Sequence, residues 1–304
     1  MSIRPLALFD LPYVYGFREA AIGLDTARTL TRGNPLGAVG LMAYMNPARH
    51  IYSAIVNGSD DSVLGGIIHS RDETFAKLLY LAPASQLTHP DLPDLIDNLS
   101  AQAGAWGAFH VIAEVDETSS VFVPLRKSGF SVYAWQRMWN VSQITEADSS
   151  VEWMRVKSVD VQSLQNLYHQ IVPPLLQPVE PQPKEALGWI CNEGVKCYVS
   201  ASQGAYGIVL APLIHPEATD VSTKLASLIA HLPDRRNRPV YVCVRSYQAW
   251  LEPVLADLGA QGADRQAVMV KHLAHLVKDA KTVPAVPSGV SIQPSRVSKT
   301  LGKK

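Results

Sequence analysis

Cysteine is scarce in this chain: Cys191, Cys197 and Cys243 are the three in 304 residues. Three cannot build a disulfide framework, and a reduced, cytoplasmic setting is the simplest expectation. An excess of either charge is also lacking, with 27 basic and 27 acidic residues and a pI near 7.1. The electrostatic footprint of a nucleic-acid or anionic-membrane binder is therefore missing, and neither is expected as a partner. No apolar run reaches membrane-spanning length without a charge, and the opening MSIRPLALFDLPYVYGF is broken by Pro5, Asp10 and Pro12, which argues against a signal peptide or an anchor there. The sequon-like triplets at Asn57, Asn98 and Asn140 carry no weight without secretion. Disorder-promoting composition is confined to the end, where 277–304 reads as a basic, disordered tail with Lys281, Arg296, Lys299, Lys303 and Lys304. Those charges read as a solvated tail before a nucleic-acid arm, because the remainder of the chain is neutral.

What is present is a globular chain, 47% hydrophobic, with a unit used twice. Phe109 to Val115 is a β-rich run, followed by an amphipathic segment, then Lys127-Ser128-Gly129-Phe130, then a second β run from Val132 to Met138. This reads as strand, helix, glycine stop, strand. The same order returns with Pro239 to Val244, a helix from Ala249 to Leu258, Gly259, and Ala267 to Val270. Val115 to Gly129 spans 14 positions and Val244 to Gly259 spans 15. Upstream, Leu81-Ala82-Pro83 precedes His89-Pro90-Asp91 and Asp94, and Leu210-Ala211-Pro212 precedes His215-Pro216-Glu217 and Asp220, each followed by an apolar helix. His89 lies 40 positions before Gly129 and His215 lies 44 before Gly259. A repeat this long means two domains rather than a solenoid. We expect domains at 1–141 and 151–276, joined by the polar linker 142–150.

In chain order the first half reads as a strand over Ile3 to Ala7, a helix from Leu11 to Ala21 capped by Asp10, and an interrupted helix from Thr26 to Met45. Strands follow at Ile51 to Val56, Val63 to His69 and Phe75 to Leu81, with 57–61 as a hairpin turn and Asp91 to Ala103 as helix. The second half repeats the scheme: a strand from Trp153, a helix from a cap at Asp160 to Ile171, and a stiff loop through Pro178, Pro181 and Pro183. Strands are then expected at Trp189 to Cys191, Lys196 to Ser200 and Ala205 to Leu210, with a helix from Thr219 to His231.

This succession resembles the GNAT superfamily of N-acetyltransferases in a tandem, two-copy form. The likeness rests on Ile3-Arg4-Pro5-Leu6 with Asp10-Leu11-Pro12, the hairpin carrying Gly65-Gly66, the strand ending Leu79-Tyr80-Leu81-Ala82-Pro83, and Leu125-Arg126-Lys127-Ser128-Gly129-Phe130. It covers Ile3 to Val141 well and Val151 to Leu273 through the second LAP, Gly259 and the overall order. The resemblance implies an α/β (α+β) fold of two domains, each a mixed, mostly antiparallel sheet whose central parallel strands splay apart, flanked by helices. Acetyl-CoA or another acyl-CoA would lie in the V, its pantetheine paired with the backbone of Leu79, Tyr80, Leu81 and Ala82 and its phosphates near Gln86. Leu210 and Ala211 would take the equivalent role in the second copy. No metal is implied. Two departures stand out. The family's glycines after that strand, which let bare amides hold a pyrophosphate, are replaced by Ala84-Ser85-Gln86-Leu87-Thr88-His89-Pro90-Asp91 and by Leu213-Ile214-His215-Pro216-Glu217. Proline removes a donor, and Asp91, Asp94, Glu217 or Asp220 can cap the helix themselves and would repel phosphate. The family's frequent general-acid tyrosine, four before the glycine, is Leu125 in one copy and Leu255 in the other.

Glu114 is a carboxylate inside an apolar strand, read either as a general base for an amine nucleophile or as a paired structural acid. Cys243 holds the equivalent place in the second copy and reads as buried packing. His89 and His215 read as turn-forming residues ahead of helices. His272 and His275 share a spacing but lack a third metal ligand. Tyr133, Trp135 and Trp139 alternate, as packing aromatics on one strand face do. Two functions follow as expectations: an N-acyltransferase moving an acyl group from acyl-CoA to an amine not identified by the sequence, with the first copy the active one, or a degenerate pair kept as a ligand-binding or scaffold module. A ligand other than CoA in each cleft, and dimerisation, stay open.

Overall fold

The computed structural model describes residues 3–38, 40, 50–56, 62–145, 151–184, 188–191 and 195–273. The expected turn at 57–61, the end of the linker, His275 and the basic tail lie outside these. The first copy comprises β1 (Ile3–Pro5), α1 (Leu11–Tyr15), β2 (Ile22–Gly23), α2 (Thr26–Arg32), β3 (His50–Val56), β4 (Val63–His69), β5 (Phe75–Ala82), α3 (Leu92–Ala105), β6 (His110–Asp116), α4 (Phe122–Lys127) and β7 (Ser131–Asn140). The second comprises β8 (Trp153–Arg155), α5 (Val161–Ile171), β9 (Gly188–Cys191), β10 (Cys197–Gln203), β11 (Ile208–Ile214), α6 (Val221–Ala230), β12 (Val240–Arg245), α7 (Leu251–Asp257) and β13 (Gln261–His272).

The two copies share one sheet, ordered β1-β3-β4-β5-β6-β13-β7-β12-β11-β10-β9-β8. β13, the last strand of the second copy, sits between β6 and β7 of the first, and β7 sits between β13 and β12. Each copy therefore completes the sheet of the other. The β7–β13 register pairs Ser131 with Val270 and Asn140 with Gln261, and a shift of 130 residues exchanges these pairs. That is a pseudo-two-fold axis through the antiparallel Gln136–Gln266 pair. β13 runs eight residues beyond the short run expected at Ala267 to Val270, because pairing on both edges satisfies its backbone.

The helix stops fall where the glycines place them. Gly129 and Gly259 have φ of 87° and 81°, a left-handed conformation open to a residue without Cβ. At Gly65 a Cβ would stand 2.9 Å from Leu81 Cδ2 and Leu99 Cδ1, so its absence lets α3 approach the sheet. One face carries two cores, around Leu95, Ile96 and Val111 in the first copy and Leu225, Ile229 and Val242 in the second. The opposite face carries two smaller cores, one including Leu64 and Tyr80, the other Ile112, Tyr168 and Val268.

Several expectations need correction. The helix from Leu11 ends at Tyr15, and Asp10 supplies no side-chain cap; its carboxylate instead pairs with Arg4 and accepts from the Ala7 N–H at 2.8 Å. The two LAP segments are not equivalent. The first closes β5 with a cis Ala82–Pro83 bond, whereas Leu210-Ala211-Pro212 lies inside β11. The sequence cannot show this, because β11 runs on to Ile214 through a proline paired with Val199. A β7 bulge at Tyr133 breaks the aromatic alternation: Tyr133 packs on one face and Trp135 on the other.

Candidate functional site

Both pairs of parallel strands splay. β5 and β6 pair from Phe75–His110 to Lys77–Ile112, and β11 and β12 from Ile208–Val240 to Leu210–Val242, although each strand continues. A bulge at Leu79, marked by the register shift from Gly66–Tyr80 to Ile67–Leu78, turns the β5 edge into the first wedge.

That edge is already occupied. β2 enters the wedge and pairs antiparallel with β5, Ile22 opposite Leu81 and Gly23 opposite Tyr80. Leu24 N–H donates to Leu79 C=O at 2.9 Å, and Leu24 C=O accepts from Glu114 N–H at 2.8 Å. Residues 22–24 thus bridge the splayed strands and take the backbone that the resemblance assigns to pantetheine. In the second wedge Leu210 is not an open edge but part of the parallel ladder with Val242. Beyond Ala211 a side-chain amide does the bridging: Gln248, 2% exposed, donates to Pro212 C=O at 2.8 Å and accepts from Ile214 N–H at 2.8 Å. Gln248→Leu leaves both backbone groups buried without a partner, and a loss of about 1–3 kcal/mol for each is expected. Urea denaturation measures it; an unchanged midpoint would show that the bridge contributes nothing.

The loops at the helix starts are closed in the same way. Around Gln86, the N–H groups of Gln86, His89 and Leu92 donate to Pro83, Gln86 and His89 carbonyls at 3.0–3.1 Å. His89 Nδ1 accepts from Asp91 N–H at 3.1 Å, and His215 Nδ1 accepts from Glu217 N–H at 3.2 Å. The imidazoles, not the acid side chains expected to cap, hold these turns; neither Asp91 nor Asp220 makes a side-chain cap bond.

Polar chemistry gathers instead around the pseudo-axis. Asp116, Gln266, Gln136 and Arg245 form one row across β6, β13, β7 and β12. Gln266 Nε2 donates to Asp116 Oδ1 at 2.8 Å, Gln136 Nε2 to Gln266 Oε1 at 2.9 Å, and Arg245 to Gln136 Oε1. Arg245 Nε meets Glu180 Oε1 at 3.0 Å, Lys77 Nζ meets Asp25 Oδ1 at 3.2 Å and Glu114 Oε1 at 3.5 Å, and Glu114 Oε2 accepts from Thr26 N–H at 2.8 Å. Glu114 is therefore a paired carboxylate. Burial pushes its carboxyl up, but Lys77, Arg245, the Thr26 amide and the Gln136 amide outweigh this and hold it well below the usual range. Glu180 goes the other way, raised chiefly by burial against the pull of Arg245. Cys243 pairs with Met138 as Glu114 pairs with Val268, which places the two at equivalent positions. Burial raises its thiol to about 11.

Asp25, Lys77, Glu114, Glu180, Cys243 and Arg245 line a cavity of about 360 Å³ between the copies, shared with Arg28 and Tyr198. The proline-rich segment at 180–183 forms part of its wall, tied to the first copy by Lys184 Nζ–Glu73 Oε1 at 2.6 Å and by Thr74 Oγ1 donating to Pro178 C=O at 2.7 Å. The sequence reading placed Glu114 but missed Lys77, Gln136, Arg245 and Glu180. One signal was available: Gln136 and Gln266 stand 130 apart, as do Gly129 and Gly259. His272 packs edge-on to His110 and tilted against Tyr133, with Nδ1 3.0 Å from His110 Nδ1. Among the described residues no group of three or more potential ligands could hold a metal, and no helix is long and apolar enough to cross a membrane.

No family model matches the sequence, and no curated protein matches it. Solved structures do. A GCN5-related N-acetyltransferase from Sphaerobacter thermophilus is similar at TM-score 0.55 and 12% identity, over 89% of this chain and 95% of that one. A tandem GNAT protein from the clavulanic acid biosynthesis pathway gives 0.53 and 12%, over 89% and 98%. A putative acetyltransferase from Pyrococcus horikoshii gives 0.52 and 9%, over 90% and 89%. At such identities the likeness is one of fold, and with the doubled, splayed architecture it establishes that this chain has the tandem GNAT fold.

Proposed function

We propose that this chain is a ligand-binding tandem GNAT fold, its wedges closed to CoA, that takes a small polar molecule into the cavity between the copies. One observation carries the reading: the inner wedge edges are hydrogen-bonded by the chain itself, through Leu24 in one copy and Gln248 in the other. The satisfied amides before α3 support it, since a pyrophosphate would find few donors there. Glu114 then serves as an anchored anion beside Lys77; a carboxylate held so low is a weak proton acceptor. Four carboxylates (Asp25, Glu73, Glu114, Glu180) and four cations (Arg28, Arg32, Lys77, Arg245) line the cavity. With its charges balanced, a ligand of large net charge would be buried uncompensated, so one carrying both an ammonium and a carboxylate fits best.

A second reading is favoured by the bulge at Leu79 and the preserved splay. Residues 22–24 would leave the wedge, and acyl-CoA would take over their hydrogen bonds for transfer to an amine. Thermal denaturation separates the two. Binding to the native state raises the melting temperature with ligand concentration. We expect no shift with acetyl-CoA at about 1 mM and a concentration-dependent shift with a member of a panel of amino acids and amino-carboxylates. A saturable acetyl-CoA shift would overturn the closed-wedge reading.

A further inference from the structure

Cysteine scarcity does not keep the cysteines apart. β9 and β10 pair antiparallel, Gly188 opposite Ser200, Trp189 opposite Val199 and Ile190 opposite Tyr198. One step further in that register, Cys191 at the end of β9 stands opposite Cys197 at the start of β10. Residues directly opposite share a face, with Cβ atoms about 4.5–5.5 Å apart. A disulfide needs about 3.5–4.5 Å, a small closing movement at the end of a ladder. Both residues belong to the same core, Cys191 7% and Cys197 3% exposed. Burial alone would make them inert, but a separate cavity of about 110 Å³ reaches both, lined also by Lys196, Glu217, Thr219 and Lys224. Two lysines and one carboxylate share that lining, Lys196 Nζ lying 3.8 Å from Glu217 Oε2.

We infer that Cys191 and Cys197 are a dithiol modification site that closes reversibly into a cross-strand disulfide by exchange with a small disulfide of the glutathione class. One cysteine thiolate attacks the reagent's disulfide, forming a mixed disulfide and expelling one small thiolate, which takes up a proton. The second cysteine attacks the protein sulfur of that bond and expels the second small thiol. Two protein thiols are oxidised and one small disulfide is reduced to two thiols. Cys243 is no competitor: it lies on the central-cavity side, its Sγ 3.4 Å from Gln136 Oε1. Tyr198, next to Cys197 and pointing to the opposite face, lines the central cavity. Closing the pair therefore staples the strands that carry one wall of that cavity.

The full chain, folded, is incubated with excess oxidised glutathione, quenched, alkylated and mapped by mass spectrometry. The expected product is lighter by about 2 Da, carries a Cys191–Cys197 cross-linked peptide and reverts with dithiothreitol. Cys191→Ser should instead stop at glutathione attached to Cys197. Both cysteines remaining alkylatable after prolonged native incubation would overturn the proposal, as would glutathione found on Cys243 with the pair untouched. A urea-unfolded sample that does form the bond confirms that the reagent was competent, so a native refusal counts against the site.

Discussion

A chain ended before Gln261 is expected to lose cooperative folding in both copies, not in the second alone. The reason is the exchanged strand. Ala267 and Met269 of β13 are fully buried in the core around Leu95 and Val111, which belongs to the first copy. Val268 and Val270, 2% and 0% exposed, complete the core on the opposite face with Ile112 and Ala134. Burying Val268, Met269 and Val270 contributes about 1.5–3 kcal/mol each. Together that is about 5–9 kcal/mol, comparable to the whole stability of a typical domain at about 5–15 kcal/mol. Removing β13 also uncovers an edge of β6 and an edge of β7, and unpaired edges invite association. In urea the truncated chain should show a broad transition at low denaturant or none, and it should bind a hydrophobic dye. Met269→Ala gives the graded version, costing about 2–5 kcal/mol. A truncated chain with a sharp transition at the full chain's midpoint would mean that the copies fold independently.

This interlock explains what was legible in the sequence. Local signals were sound: Gly129 and Gly259 stop helices because a left-handed position needs glycine, and β4 and β5 follow from their apolar runs between turn residues. The glycine-free loops are hydrogen-bonded within themselves, with His89 and His215 rather than the acids holding the turns. Hidden were facts of pairing. Nothing in Gln261–His272 says that its partners are β6 and β7, since a short apolar run buried on both faces fits any central place in a sheet. The plug at Ile22–Leu24 is two strand residues and one hydrogen-bonded neighbour, too short to carry a period. Lys77 and Arg245 look like ordinary strand polar residues until the fold brings carboxylates from α2's start, β6 and the proline segment against them.

Lys77→Met should be the most damaging single change near the central cavity. It leaves Asp25 and Glu114, 3.2 and 3.5 Å from the ammonium in the native chain, without that charge. Removing one partner of a buried pair costs about 3–5 kcal/mol, and the 26% exposure of the Lys77 side chain points to the lower end, about 3 kcal/mol. The change also has a pH signature. In the native protein Lys77, Arg245, Thr26 and Gln136 overcome burial and depress the Glu114 carboxyl. A depressed acid stabilises the fold above the unfolded carboxylate range and loses that contribution as pH falls through its folded value. Without Lys77 the burial effect gains, the folded value rises, and acidification then favours the variant by neutralising Glu114. Glu180, raised by burial, has the opposite pH slope to native Glu114, but it is present in both proteins and largely cancels in their difference. The gap between native and Lys77→Met should therefore narrow from pH 7 to pH 5. Adding Glu114→Gln to Lys77→Met should recover part of the loss at pH 7, because an amide needs no counter-charge and can still accept the Thr26 N–H. Urea titrations of the native protein, the two single variants Lys77→Met and Glu114→Gln, and the double variant at both pH values decide it. A gap independent of pH, or no recovery in the double variant, would mean that Lys77 acts through packing rather than charge.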